Sequence, residues 1–386
     1  PSLGFTLLLA YILITKIENK KVLVPLLVII CSAFSIKTIS RNNIWKDDFT
    51  LFTMDVNENT KSAKLLNAAG GALSTTASTM PEGNEKTEML NLAVNYLNKA
   101  IEIHMFRGDK IHPEISGNKW WKLKYNIAHC RENNFSGILT FGGAYSNHLA
   151  AVAASGKIQR IPTVGIVRGD EVKVLNETLQ KAAEDGMKLI FVSREEYRNR
   201  NQETYHRYLR EQFPNHFIVP EGGSNVLAVK GIKDMMMEVE RGRYDMVCVP
   251  VGTGGTMAGI IASGRIASVL GFAVLKQNGY LTLEVQELLK KVNERVPDLE
   301  WLIEDTYHFG GYAKLSRELV LLCNEFIDQF GIELDYIYTA KMMYGIRDMI
   351  IRNKIPNESK ILVIHTGGIQ GNAGMKKRYS YLFDNG

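Results

Sequence analysis

The stretch "MVCVPVGTGGTMAG", residues 246–259, decides how this chain folds. It opens with a short run that is apolar without alternation, the mark of a strand covered on both faces. Glycines follow at 252, 254 and 255, and then residues that suit a helix. Strand, glycine turn and helix in that order are the building unit of a parallel sheet wrapped by helices. The turn also carries chemistry. Three glycines let the backbone curl so that successive N–H groups point inward, and the positive end of the following helix reinforces them. Such a cradle suits a phosphate. It fails the dinucleotide fingerprint, whose next glycine would stand at Met257, and it fails the P-loop pattern, because no Gly-Lys-Ser/Thr follows.

Outward from this loop the same unit recurs. "GILTF" (137–141), "TVGIV" (163–167), "KLIFVS" (188–193), "HFIV" (216–219), "VLGFAVL" (269–275) and "ILVIHT" (361–366) read as further buried strands. Helices are expected from about Asn147 and near 174–185. Polar and glycine clusters sit just past several strands: "GGAYSNH" (142–148), "EGGSN" (221–225) and "HTGGIQG" (365–371). Ligands of open α/β sheets bind at the carboxyl ends of the strands, so these clusters are expected to share one site.

A second stretch, "ISGNKWWKLKYN" (115–126), concentrates amines. A lysine attacks carbonyl carbon once neutral, and burial or a cationic neighbour lowers its pKa enough for that. Lys119 has Trp120 and Trp121 to shield it and Lys122 one helical turn along, while Lys124 reads as a solvated helix residue. A phosphate cradle together with a reactive lysine suggests pyridoxal phosphate, held as a Schiff base.

"DKIHPEISGNKWWKLKYN", "TFGGAYSNHLAAVAASGK", "VPEGGSNVLAVKGI", "VPVGTGGTMAGI", "YHFGGYAK", "IYTAKMMYGI" and "IHTGGIQG" stand in the order and spacing of one family. Over residues 107–377 the chain resembles the 1-aminocyclopropane-1-carboxylate deaminase / D-cysteine desulfhydrase family. The resemblance implies a pyridoxal-phosphate enzyme of the tryptophan-synthase-β-like fold (fold type II), with doubly wound parallel sheets in two subdomains. It implies that Lys119 holds the cofactor, that Asn147 meets its ring hydroxyl, and that Gly252, Thr253, Gly254, Gly255 and Thr256 cup its phosphate. Ser146 would meet the substrate carboxylate or act near the reacting carbon. Tyr312 and Tyr338 match two tyrosines that face substrate and could protonate a leaving group. His148 and His365 read as a site-wall and a strand-end residue, with His148 at the substrate, and Glu221 as a local cap. Cyclopropane deaminases resemble one another in a Glu after the second tyrosine and a Leu after the last histidine. Thr339 and Thr366 stand there instead, which resembles the desulfhydrases. A hydroxyl at the pyridine nitrogen leaves the ring less electron-withdrawing, enough for β-elimination of thiolate but not for opening a cyclopropane. The resemblance also implies a homodimer acting on a small amino acid in the cytoplasm. Two places depart from the family: Gly108 stands at an acidic position, and Trp121 where arginine is usual.

Composition adds bounds. Among 386 residues, 46 basic side chains face 41 acidic ones, a net +5 too mild to argue for nucleic acid. Cys31, Cys130, Cys248 and Cys323 lie far apart without a CxxC pair, so neither a metal site nor a disulfide framework is expected. The chain opens on Pro1, which reads as a fragment or processed product. Residues 1–40 carry two apolar runs, 2–15 and 22–36, around a lysine-rich loop, and read as a membrane hairpin remnant. Residues 41–104 resemble a tetratricopeptide helix pair from a bacterial membrane protein, with Ala93, Leu97, Ala100 and Ile101 on its packing face. The enzyme part is then expected over 105–386, its upstream strand replaced by that helical segment. A reading of another class is a membrane-tethered interaction protein with an inactive enzyme-like part, or a misjoined reading frame.

Overall fold

The computed structural model describes residues 63–383 apart from 172–173, 277–278, 293–296 and 357–358, together with Pro25. The expected hairpin of residues 1–40 thus lies outside the described residues, Pro25 aside. Among the described residues no helix is long and apolar enough to cross a membrane. The chain divides into two units, Pro1–Ala100 and Ile101–Gly386. In the first, helices Ala63–Ser78 and Asn84–Ala100 pack on each other. Their contact is made of small and apolar residues, with Leu66, Ala69, Leu73, Ala77 and Ala93 buried.

The second unit is α/β with two all-parallel sheets. One holds β1 (Glu102–Arg107), β6 (Met246–Val251), β7 (Ser268–Ala273), β8 (Glu300–Glu304) and β9 (Lys360–His365), in the order β1-β9-β6-β7-β8. The other holds β2 (Gly137–Gly143), β3 (Thr163–Arg168), β4 (Met187–Val192) and β5 (His216–Val219), in the order β4-β3-β2-β5. The seven strands expected from apolar runs are all present, each within two residues of its expected ends. Val247, Val249, Leu362 and Ile364 are buried with the helix Gly255–Ser263 in one core; Ile138 and Val167 lie in another with the helix Asn147–Gln159. The helix Asn118–Glu132 serves both: Trp121 packs on the first core, and Leu123 and Cys130 belong to the second.

One expectation is corrected. Residues 102–104 are not helical, and the upstream strand is not lost. The helix stops at Ala100, and "EIHMFR" forms edge strand β1, pairing in parallel with β9 from Glu102 opposite Lys360 to Arg107 opposite His365. Its half-buried, mixed polarity disguised it: an edge strand has one open side and need not be uniformly apolar. β8 went unread for the same reason; "EWLIE" is also an edge, with Leu302 56% exposed.

The ends of β1 and β9 build a platform for the turn at Gly117. Gly117 N–H donates to Gly108 O (2.9 Å), and Asn118 N–H to Thr366 O (3.3 Å). A side chain at Gly108 would put its Cβ 2.5 Å from His365 O. The glycine at 108 is therefore dictated here by backbone contact, and the neighbouring Asp109 pairs with Arg107 at 2.6 Å.

Candidate functional site

The lysine-bearing turn sits on that platform. Gly117 has φ +71°, and any Cβ there would overlap Thr366 O and Gly367 N. Only glycine allows this approach. The helix then begins at Asn118, placing Lys119 in its first turn. Asn118 Nδ2 donates to Thr256 Oγ1 at 2.7 Å, and its Oδ1 accepts from Lys119 Nζ at 2.9 Å. Burial brings the Lys119 amine down to about 8, against the opposing pull of the Asp335 charge. Lys122, one turn on, is 1% exposed. Its Nζ donates to Ser224 Oγ (2.9 Å), which is 2.6 Å from Thr253 Oγ1. Burial, and then the nearby Lys119 charge, hold Lys122 well below the usual lysine range. Lys124 faces outward and pairs with Asp234 at 2.5 Å. The three lysines thus divide into a half-buried amine, a buried amine under the glycine loop, and a surface ion pair.

The glycine loop lies against both inner lysines. Gly254 is left-handed (φ +76°) and precedes the helix Gly255–Ser263, whose first N–H groups have no intrahelical acceptor. A Cβ at Gly255 would lie 2.5 Å from Ser224 Oγ and 2.9 Å from Lys122 Nζ; one at Gly252 would lie 3.1 Å from Tyr338 Cε1. Backbone donors, a helix N-terminus and a buried lysine amine therefore converge at one point. That donor set fits a phosphate.

Of the remaining expected residues, Tyr338 touches the glycine loop at Gly252. Tyr338 and Tyr312 meet edge to face, hydroxyls 3.5 Å apart. Burial raises both phenols, Tyr338 well above the ordinary value with Tyr312 adding to the effect, so both stay protonated near neutrality. Ser146 caps the helix Asn147–Gln159, accepting from Leu149 N at 3.3 Å. The Asn147 amide lies against the last glycine loop, beside Gly368, with Oδ1 accepting from Gln370 Nε2 at 3.1 Å. His148 bonds Thr140 through Nε2 (2.8 Å), while its buried Nδ1 has no protein partner. Burial, and the Lys119 and Lys122 charges, push this imidazole well below the usual histidine range. Thr339 is fully buried with an unpartnered Oγ1, and Thr366 is 8% exposed at the end of β9. Unpartnered buried atoms such as His148 Nδ1 and Thr339 Oγ1 are what a bound polar group would satisfy. His365 is a strand-end residue, its Nε2 2.9 Å from Glu333 O.

Three residues escaped the sequence reading or changed meaning. Glu221 is not a local cap; it accepts from Tyr197 Oη (2.8 Å) and Arg200 Nε (2.6 Å), tying the segment before it to the site's rim. Asn118 reads in the sequence only as a turn residue beside a lysine, yet it braces the glycine loop through Thr256. Asp335 gave no motif, yet its buried carboxylate accepts from Tyr338 N (2.7 Å) and Thr339 N (2.9 Å) and fixes the start of the helix Thr339–Ile351. Among the described residues no cluster of His, Cys, Asp or Glu could hold a metal ion.

Comparison with known proteins bears on this arrangement. The profile of the family described as "Pyridoxal-phosphate dependent enzyme" matches residues 95–367. A Thermotoga maritima protein with the provisional name 1-aminocyclopropane-1-carboxylate deaminase is 33% identical over 293 residues, 72% of this chain and 92% of that one. The mitochondrial bifunctional D-cysteine desulfhydrase/1-aminocyclopropane-1-carboxylate deaminase of Arabidopsis thaliana is 28% identical over 71% of this chain and 74% of its own. A crystal structure described as an ACC deaminase homologue superposes with a TM-score of 0.64 at 24% identity, covering 72% of this chain and 88% of that one, which shows a shared fold.

Proposed function

The chain belongs to the pyridoxal-phosphate dependent enzyme family, and on that premise we propose that it is a β-eliminating lyase for a small amino acid, D-cysteine. The reaction takes D-cysteine and water to pyruvate, ammonia and sulfide. When bound, pyridoxal phosphate supplies an electron sink for the α-carbon. Lys119 would hold it, and Gly252, Thr253, Gly254, Gly255, Thr256 and Lys122 would take its phosphate. The observation that carries this reading is the Asn118 bridge, which joins the depressed Lys119 amine to the glycine loop.

Each residue then has a task. Lys119, once released by the substrate amine, takes the α-proton at Nζ; an amine titrating near 8 is close to the working range of a general base. Tyr338 or Tyr312, both kept protonated by burial, gives a proton to the sulfur as the Cβ–S bond breaks. The enamine, once free, hydrolyses to pyruvate and ammonia. Ser146, at a helix start, receives the substrate carboxylate, with His148 walling the pocket. Asn147 would meet the cofactor's ring hydroxyl. Thr339 and Thr366 would meet the ring nitrogen, where a hydroxyl would favour elimination over cyclopropane opening.

The relatives' names leave the cyclopropane deaminase as the rival reading. Supplying D-cysteine and 1-aminocyclopropane-1-carboxylate to the loaded protein separates the two. Sulfide with pyruvate is expected from the first; 2-oxobutanoate from the second, without sulfide from the first, would reject the proposal. The Thr339→Glu, Thr366→Leu double variant should shift preference away from D-cysteine, and an unchanged preference would reject the ring-nitrogen argument.

A further inference from the structure

Lys341 has no part in the proposed chemistry, yet it is fully buried, at 0% exposure. It stands in the first turn of the helix Thr339–Ile351, where a cation opposes the helix dipole. Local helix stability therefore does not explain it. Among the described residues no carboxylate is in ion-pair contact with it, although the Asp335 charge acts on it from a distance. Its Nζ donates instead to three backbone carbonyls: Gly311 O at 2.8 Å, His308 O at 3.0 Å and Val274 O at 3.2 Å. Three donors meet three acceptors, which is the full capacity of an ammonium.

The three carbonyls belong to different parts of the site. Val274 follows β7 and donates its N–H to Val251 O (3.1 Å), the residue just before the glycine loop. His308 and Gly311 lie in the loop that presents Tyr312. That loop is unusual: Phe309 (φ 52°), Gly310 (φ 87°), Gly311 (φ 125°) and Ala313 (φ 52°) all have positive φ, leaving Tyr312 between a permissive glycine and a strained alanine. Non-glycine residues hold such angles only where surroundings impose them. On the far side of Tyr312, Tyr379 Oη donates to Ala313 O at 3.1 Å. On the near side, Lys341 holds the carbonyls at 308 and 311.

We propose that Lys341 is a positioning residue: its ammonium clamps the carbonyls of Val274, His308 and Gly311, and so sets the Tyr312 hydroxyl against Tyr338 beside the glycine loop. The proposal rests on the reading of the tyrosine pair as the proton donor to the leaving group. It explains why a charged group is retained where an apolar one would be simpler to bury.

The test is amide hydrogen exchange of residues 306–314, read together with turnover and the visible absorption of the lysine-linked cofactor. In the unsubstituted protein these amides should exchange slowly despite the strained angles; fast exchange there overturns the proposal without any variant. Lys341→Met keeps length and removes the charge. It should retain the visible band, speed exchange at 306–314 by about tenfold or more, and lower kcat by about tenfold with KM little changed. Lys341→Arg keeps a cation and should recover much of the protection. A Met variant with protection and kcat within about twofold of the parent overturns the clamp. If the Met protein does not fold, an Arg protein with an unprotected loop overturns it equally. Absence of sulfide release by the parent, with the loop still loosened by Lys341→Met, would reject the D-cysteine reading and leave the clamp standing.

Discussion

Three lysines within six positions have three different environments, set by burial and by the charges beside them. Lys119 and Lys122 are desolvated and pushed down, while Lys124 is held up by Asp234. This has a measurable consequence for cofactor attachment. Only the neutral amine attacks an aldehyde, so the attachment rate of cofactor-free protein should rise with pH through a midpoint near about 8. A midpoint near the ordinary lysine value would contradict it. Because the Asp335 charge raises Lys119, Asp335→Asn should move that midpoint to lower pH. Asn118→Ala removes a 2.7 Å buried hydrogen bond and strands the Thr256 hydroxyl. It should cost about 1–3 kcal/mol in urea unfolding and weaken cofactor retention. Lys119 and the glycines were legible in the sequence because their chemistry depends on residue type and local order. Asn118 and Asp335 were not, since each acts through a partner more than a hundred residues away or through backbone N–H groups that no side-chain pattern reveals.

At the level of elements, legibility followed burial. β2, β3, β6, β7 and β9, enclosed within the two sheets, read as apolar runs, as do the edges β4 and β5 of the four-stranded sheet; the edges β1 and β8 of the five-stranded sheet carry charged residues among their apolar ones and do not. The same logic explains why the helical segment was read four residues too far. "IEIH" continues a plausible helical spacing, and only the partner strand β9, some 250 residues on, overrides it. The loops joining elements carry the strictest demands. Gly117→Ala would place a methyl group into the Thr366 carbonyl at a positive φ. It is expected to destabilise by more than about 2 kcal/mol, through left-handed strain and forced displacement of the β9 end, read as a lower denaturation midpoint. Stability unchanged within error would mean the turn relaxes without cost.

For the whole molecule, β1 decides where the enzyme unit begins. It pairs along its full length with the last strand of the unit, and the turn bearing Lys119 rests on the ends of both. A chain starting at Ile101 should fold and take up pyridoxal phosphate; one starting at Gly108 should lose the edge strand and fail to hold it. Equal behaviour of the two would show that β1 is dispensable. Within this unit Asn118, Lys122, Ser224 and Tyr338 meet one glycine loop, and the mechanism turns on which amine is presented there. Half-buried Lys119 and the fully buried Lys122 and Lys341 are all amines lowered by desolvation, so the decisive measurement is chemical mapping. The loaded protein is reduced with borohydride, digested, and the pyridoxyl group located by peptide mass. The mechanism predicts the label on Lys119; a label on Lys122 or Lys341 would contradict it.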